Sequence, residues 1–212
     1  MRSKFDEQLA LLHREMITMG ALCEKAIAMS VKALTEGNRN LATEVPALST
    51  EIDGKEREIE GMCFKLLLQQ QPVAKDLRVV SSALKMVTDL ERIGDNSGDI
   101  AEIVQMGHIS SAHNAESIEE MARATVKMVT DSIDAFVEQD DGLAGAVVEY
   151  DDIVDGHFNR IKAAITKQLE SGNTDGEAMV DLLMIAKYFE RMGDHAVQIA
   201  CWVQYAVTGR KE

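Results

Sequence analysis

The sequence predicts an all-α protein of two tandem three-helix bundles related by internal duplication, and three observations carry that prediction. Apolar residues recur at intervals of three and four along most of the 212 residues, the period of one helix face. Turn and strand formers are scarce, with 2 Pro and 4% aromatics against 12 Met and abundant Ala, Leu, Glu and Lys. The pentapeptide Glu91-Arg92-Ile93-Gly94-Asp95 returns as Glu190-Arg191-Met192-Gly193-Asp194, changed only at its central apolar residue.

Six long helices follow from the apolar stripes. The first runs from Phe5 through Leu12, Met19 and Ile27 to Leu34, and Gly37-Asn38 ends it. The second collects Leu41, Leu48, Ile52, Ile59, Met62, Leu66 and Leu67. Pro46 lies inside this stripe, where it either kinks the helix or marks its true start. The second helix stops before Pro72, which is placed in the first turn of the third, as Pro tolerates. The third runs from Leu77 through Leu84, Leu90 and Ile93 to Val104 and closes at Gly107. The polar stretch 107–115 reads as the linker between halves. The fourth helix carries Ile118, Met121, Met128, Ile133 and Phe136, and the fifth carries Leu143, Val147, Val154, Ile161 and Leu169. After the break Ser171-Gly172-Asn173-Thr174-Asp175-Gly176, the sixth runs from about Glu177 to Val207.

The duplication has a measurable register. Ile52-Asp53-Gly54 matches Val154-Asp155-Gly156 at an offset of 102, while the pentapeptides are offset by 99. The loop before the last helix of the second half is therefore expected to be about three residues shorter. Residues 1–107 form the first bundle and 114–212 the second, with short loops making neighbouring helices antiparallel.

Net charge is −14, which argues against nucleic acid and against an anionic membrane surface, and favours a basic protein surface or a cation. Cys23, Cys63 and Cys201 are widely spaced in apolar settings, the pattern of reduced core thiols in a cytosolic protein. The first residues do not resemble a signal peptide, and no apolar run is long enough to span or insert into a bilayer.

The repeated Glu-x-x-x-Asp points to chemistry. Residues four apart share a helix face, and like charges there repel by about 0.2–0.5 kcal/mol. Both halves accept that cost at the same position, and in the first the row extends as Glu91, Asp95, Asp99. The second helix of each half faces it with Asp151 and Asp155, or with Ser49 and Asp53. Four carboxylates without His or Cys suit a hard or borderline cation: magnesium, manganese, iron or, less ideally, zinc. A solvated acidic face is the commoner meaning of one such pair; duplication opposite a second acidic row is what favours a metal. Gly94 and Gly193 cost about 1 kcal/mol each in mid-helix and point to close helix approach. None of His13, His108, His113, His157 or His195 follows a Glu by three, so the di-iron bundle pattern is absent. His195 follows Asp194 as a candidate ligand or supporting group, but its counterpart is Asn96.

Gln70-Gln71-Pro72-Val73-Ala74-Lys75-Asp76-Leu77-Arg78, followed by Asp89-Leu90 and the first pentapeptide, resembles the PhoU family. Tyr188-Phe189 with the second pentapeptide and His195 is similar to that family's repeat, so the resemblance covers essentially the whole chain. It implies two three-helix bundles, a homodimer, and a negative regulator of phosphate uptake acting between the phosphate ABC transporter ATPase and a sensor histidine kinase. It also implies iron or zinc bound by paired E(D)xxxD motifs. By position the second site is complete, with Asp151, Asp155, Glu190 and Asp194; the first matches at Asp53, Glu91 and Asp95 and departs at Ser49, with Asp99 as a substitute. The preferred reading is a cytoplasmic, non-enzymatic, metal-binding adaptor. A metal-dependent hydrolase or oxidase is the alternative, opposed by the absence of any nucleophile motif or His ligand pattern. A helical scaffold that only contacts basic partners is the third.

Overall fold

The computed structural model describes residues 2–109, 115–172 and 175–210. Six long helices and a single turn make up the order: α1 (Arg2–Glu36), α2 (Arg39–Ala42), α3 (Val45–Gln70), α4 (Lys75–Met106), α5 (Ala115–Glu138), α6 (Asp141–Glu170) and α7 (Gly176–Thr208). No strand occurs among the described residues. The middle of the linker (110–114, which includes His113) and residues 173–174 of the second break lie outside them.

Local chemistry accounts for most boundaries. Gly37, Gly107 and Gly209 take positive φ after α1, α4 and α7, the left-handed conformation that ends a helix at no steric cost to glycine. Asp140 and Asp175 cap α6 and α7, their carboxylates accepting from the N–H groups of Leu143 and Glu177 at 3.0 Å. Pro46 sits in the first turn of α3 and marks its true start; Leu41 belongs instead to the separate turn α2. Pro72 departs from expectation. It lies before α4, which starts only at Lys75, because Gln71 (φ 46°) and Ala74 (φ 49°) break the helical path on either side of it. The shortened register is not in the loop either. The connection spans 71–74 in the first half and 171–175 in the second, so the missing residues come from helix ends.

α1, α3 and α4 form one bundle, and α5, α6 and α7 the other. Met16, Met19, Cys23, Ile27, Ile52, Ile59, Leu66, Met86, Leu90 and Ile93 fill the first core, and Phe136 and Phe189 are the largest buried side chains of the second. The three cysteines form no disulfide with one another; Cys23 and Cys63 are buried, and Cys201 is partly so. Cys23 Sγ donates to the Leu90 carbonyl at 3.3 Å, and burial raises its thiol pKa.

The halves meet along two seams, α4 on α7 and α1 on α5. On the first, Arg78 Nε donates to the Ala206 carbonyl (3.3 Å), His195 Nδ1 lies 3.0 Å from Asp89 Oδ1, and His108 Nδ1 lies 2.9 Å from Asp181 Oδ2. Numbers rise on α4 as they fall on α7, so the two helices run antiparallel. On the second seam Gly20 leaves room for Ile133.

Both mid-helix glycines mark close approaches. A Cβ on Gly94 would stand 2.8 Å from Ile52 Cδ1 and 3.1 Å from its Cγ2; one on Gly193 would stand 3.0 Å from Asp151 Oδ1 and 3.4 Å from Val154 Cγ1. Gly94→Ala is expected to destabilise the protein by about 1–2 kcal/mol despite alanine's better helix propensity, because Ile52 is fully buried and cannot swing aside. Urea unfolding followed by circular dichroism measures this, and an unchanged or higher midpoint would show that α3 yields without cost.

Candidate functional site

In the first half, α3 presents Asp53, and α4 presents Glu91 and Asp95 one turn apart. One carboxylate oxygen from each lies within 4.8 Å of the others, and all three residues are half-buried. Ligand oxygens on opposite sides of a hard cation, each at about 2.0–2.6 Å from it, are separated by a similar span. Glu91 Oε2 is shielded from water and accepts no hydrogen bond. Arg92 Nε approaches it to 3.3 Å, an ion pair without hydrogen-bond alignment, while Arg92 Nη1 reaches Asp95 Oδ2 at 3.2 Å. Burial, then the charge of Asp95, raises the Glu91 carboxyl pKa; Arg92 opposes this, and Glu56 and Asp53 add to it.

Ser49, where the pattern expects an acid, donates its hydroxyl to the Gly94 carbonyl at 3.2 Å. Its polar atom is thus engaged by the backbone of the pentapeptide itself. Asp99 also departs from the expected row. Successive i+4 steps drift by about 40° around a helix, so Asp99 stands about 80° from Glu91 and outside the triad. Its charge lies beside the Tyr188 phenol across the α4–α7 seam, and burial and this carboxylate together raise the Tyr188 pKa.

In the second half Asp151 projects from α6 toward Glu190 and Asp194 of α7. Its Oδ1 is shielded from solvent and has no hydrogen-bond partner. Burial first, then the charges of Asp155, Asp194, Glu190 and Asp152, pushes its pKa up to about 6. Asp194, on the more exposed side, is raised by partial loss of water and by Glu190. Asp155 is exposed at the rim. Among the described residues three ligand atoms converge in the first half but not here, where the sequence supplies the fuller set. Here the Lys187 ammonium pairs with Glu190 Oε2 and competes for that carboxylate. The position equivalent to Lys187 in the first half is Thr88.

Glu56 escaped the sequence reading. It belongs to the first cluster, where burial and the charges of Glu60 and Asp53 raise its pKa. Its spacing of three from Asp53 on α3 was the available signal. His195 turns its Nδ1 to Asp89 across the α4–α7 seam. Arg191 lies over the Tyr188 ring, 6.0 Å from its centroid.

An acid whose folded-state pKa is raised weakens the fold when ionised. For Asp151 that penalty is present above about pH 6 and is relieved as pH falls towards its unfolded value of about 4. Asp151→Asn is therefore expected to raise the thermal midpoint of chelator-treated protein at about pH 7.5, with a smaller gain at about pH 5. Scanning calorimetry at both values measures this; an equal gain or a loss at both would remove Asp151 as an electrostatic strain.

Residues 16–104 and 118–203 both match the PhoU domain family. A protein of Clostridium acetobutylicum named phosphate-specific transport system accessory protein PhoU homolog is 32% identical over 212 residues, covering 99% of this chain and 97% of the relative. A protein of the same name from Synechocystis is 34% identical, covering 100% and 94%. The crystal structure of PhoU from Pseudomonas aeruginosa superposes with a TM-score of 0.90 at 30% identity, covering 97% of this chain and 100% of that one. The fold is also that of the phosphate transport system regulatory protein PhoU from Streptococcus pneumoniae, with a TM-score of 0.90 at 24% identity. The relatives are named as accessory proteins and not as enzymes, and with a PhoU domain matched in each half this chain belongs to the PhoU family.

Proposed function

We propose that this protein is a negative regulator of phosphate uptake and phosphate-starvation signalling, acting in the cytoplasm as an adaptor between a phosphate ABC transporter and a sensor histidine kinase. The observation that carries the reading is similarity over nearly the whole chain to proteins named as accessory to phosphate-specific transport. The role is regulatory and not enzymatic, and the hydrolase or oxidase alternative is dropped on the family's accessory character. A net charge of −14 supports docking on a basic protein surface, as on a transporter ATPase, and the absence of a membrane-spanning helix among the described residues leaves that contact to the protein's surface. The family resemblance supports a homodimer.

The carboxylate clusters serve this role as cation sites. Asp53, Glu91 and Asp95 hold one ion, with Glu56 beside them; Asp151, Asp155, Glu190 and Asp194 hold another once Lys187 releases Glu190. The shielded oxygens of Glu91 and Asp151, neither of which accepts a hydrogen bond, support a cation in both places. All-oxygen donors suit magnesium, manganese or iron and zinc less ideally, while the family resemblance favours iron or zinc. Asp99, beside Tyr188, stands outside both.

Two measurements test the reading. Deleting the gene is expected to raise phosphate-starvation gene expression in phosphate-rich medium, and unchanged expression would remove the regulatory role. Protein purified without chelator or nickel resin is expected to carry bound metal that falls in Glu91→Gln/Asp95→Asn, read by elemental analysis. Parent protein that stays metal-free under saturating iron, zinc and manganese would remove the metal sites and leave the adaptor role standing.

A further inference from the structure

The outward face of α3 carries a seam that no other helix covers among the described residues. α3 packs on α1 and α4, and its buried side holds Ile52, Ile59, Cys63 and Leu66. On the opposite side Gly54, Gly61 and Leu68 recur at intervals of seven and stand within about 40° of one line along the helix. Arg57 and Phe64 flank that line on one side, and Glu58 and Lys65 flank it on the other. All seven are exposed, Phe64 by 53% and Leu68 by 79%. A Cβ on Gly54 or Gly61 would meet nothing within 4 Å, so the close approach that explains Gly94 does not explain these two. Each still weakens its helix relative to alanine.

The duplication supplies an internal comparison. α6 packs on α5 and α7 as α3 packs on α1 and α4. At the offset of 102 it keeps small residues as Gly156 and Ala163, but Thr166 stands for Phe64 and Glu170 for Leu68. An aromatic ring and a leucine at these exposed positions are therefore no requirement of the fold.

We propose that this face pairs with the same face of a second copy of the chain, α3 lying antiparallel on α3 about a two-fold axis at Gly61. Such an interface is isologous, so each contact occurs twice. Gly54 and Leu68 stand seven residues either side of Gly61, so the axis brings Leu68 of one copy level with Gly54 of the other, a knob over a hole. A two-fold perpendicular to the helices also keeps each flank on its own side. Lys65 of one copy then comes within one residue's rise, about 1.5 Å along the helix, of Glu58 of the other. Arg57 comes equally level with the Phe64 ring, where a guanidinium is attracted to the aromatic face. Neither Arg57 nor Lys65 has an ion pair among the described residues of one chain. In size and in charge the face complements itself. The α6 face does not, because Arg160 and Lys167 stand for Glu58 and Lys65 and the same pairing would set base against base. The proposal names the surface of the homodimer read above from the family resemblance and rests on that reading.

Sedimentation equilibrium of the full chain from micromolar to millimolar concentration tests the proposal, and the parent is expected to form a dimer. Gly61→Glu enters open space within one chain but sets two carboxylates together at the axis. It is expected to raise the dimer Kd about tenfold or more while the helical circular dichroism spectrum stays unchanged. Lys65→Glu and Glu58→Lys are each expected to raise Kd about tenfold, since each turns an attraction into a repulsion twice over. Lys65→Glu/Glu58→Lys is expected to return it to within about threefold of the parent. Within one chain these residues stand about two turns apart, so rescue between them requires a second copy. Glu58 also pairs with Lys55 at 2.6 Å, a contact that Lys65→Glu leaves intact. A dimer indifferent to Gly61→Glu, or a charge swap without rescue, would overturn this surface and leave the homodimer standing. A parent that stays monomeric throughout would overturn both. If vesicles of phosphatidylglycerol and phosphatidylcholine then retain the parent but not Phe64→Ser/Leu68→Ser, the face belongs to lipid and the proposal falls.

Discussion

Two glycines set the distance on which the acidic chemistry of this protein depends. Gly94 and Gly193 sit in the middle of α4 and α7, where each weakens its helix by about 1 kcal/mol relative to alanine. In return α3 and α6 come close enough that a Cβ would meet Ile52 or Asp151. At an ordinary interhelical separation, carboxylates on facing helices stand apart and stay solvated. At this separation Asp53 reaches Glu91 and Asp95, and Asp151 is half-buried among four other acids. The glycine therefore belongs to the site as much as the acids that flank it do.

The two copies use the same approach with different side chains. A hydroxyl at Ser49 fits beside Gly94 and donates to its carbonyl. A carboxylate at the equivalent Asp151 has no proton to donate while ionised, so its inner oxygen is left without a partner. The cations differ as well. Arg92 bridges Glu91 and Asp95 from within the pentapeptide, which leaves both acids beside Asp53. Lys187, one turn earlier on α7, holds Glu190 and crosses the Phe158 ring. Duplication preserved Glu-x-x-x-Asp in each copy, while the residues facing it and the cations beside it differ.

α4 and α7 each serve two surfaces. One face of each contributes Glu-x-x-x-Asp to its own bundle, and another forms the antiparallel seam between halves through Asp89–His195 and Arg78 to the end of α7. The drift of an α-helix carries residues from one surface to the other within two turns, and Asp99 makes that passage to reach Tyr188.

The sequence by itself determined the helical class, the six long helices, the duplication and the acids that could meet. Apolar periodicity, capping residues and glycine stops are local properties that repeat with every turn, so they survive without knowledge of the partner helix. Pro72 was misplaced because the positive φ of Gln71 and Ala74 on either side of it has no signature in those residue types. Tertiary structure alone decided that Asp53, Glu91 and Asp95 converge while Asp99 does not, and that Lys187 claims Glu190. Each of those outcomes turns on ångström-scale distances between helices and on competition among nearby charges. Such distances are set by packing across the whole bundle, and no window of sequence contains them.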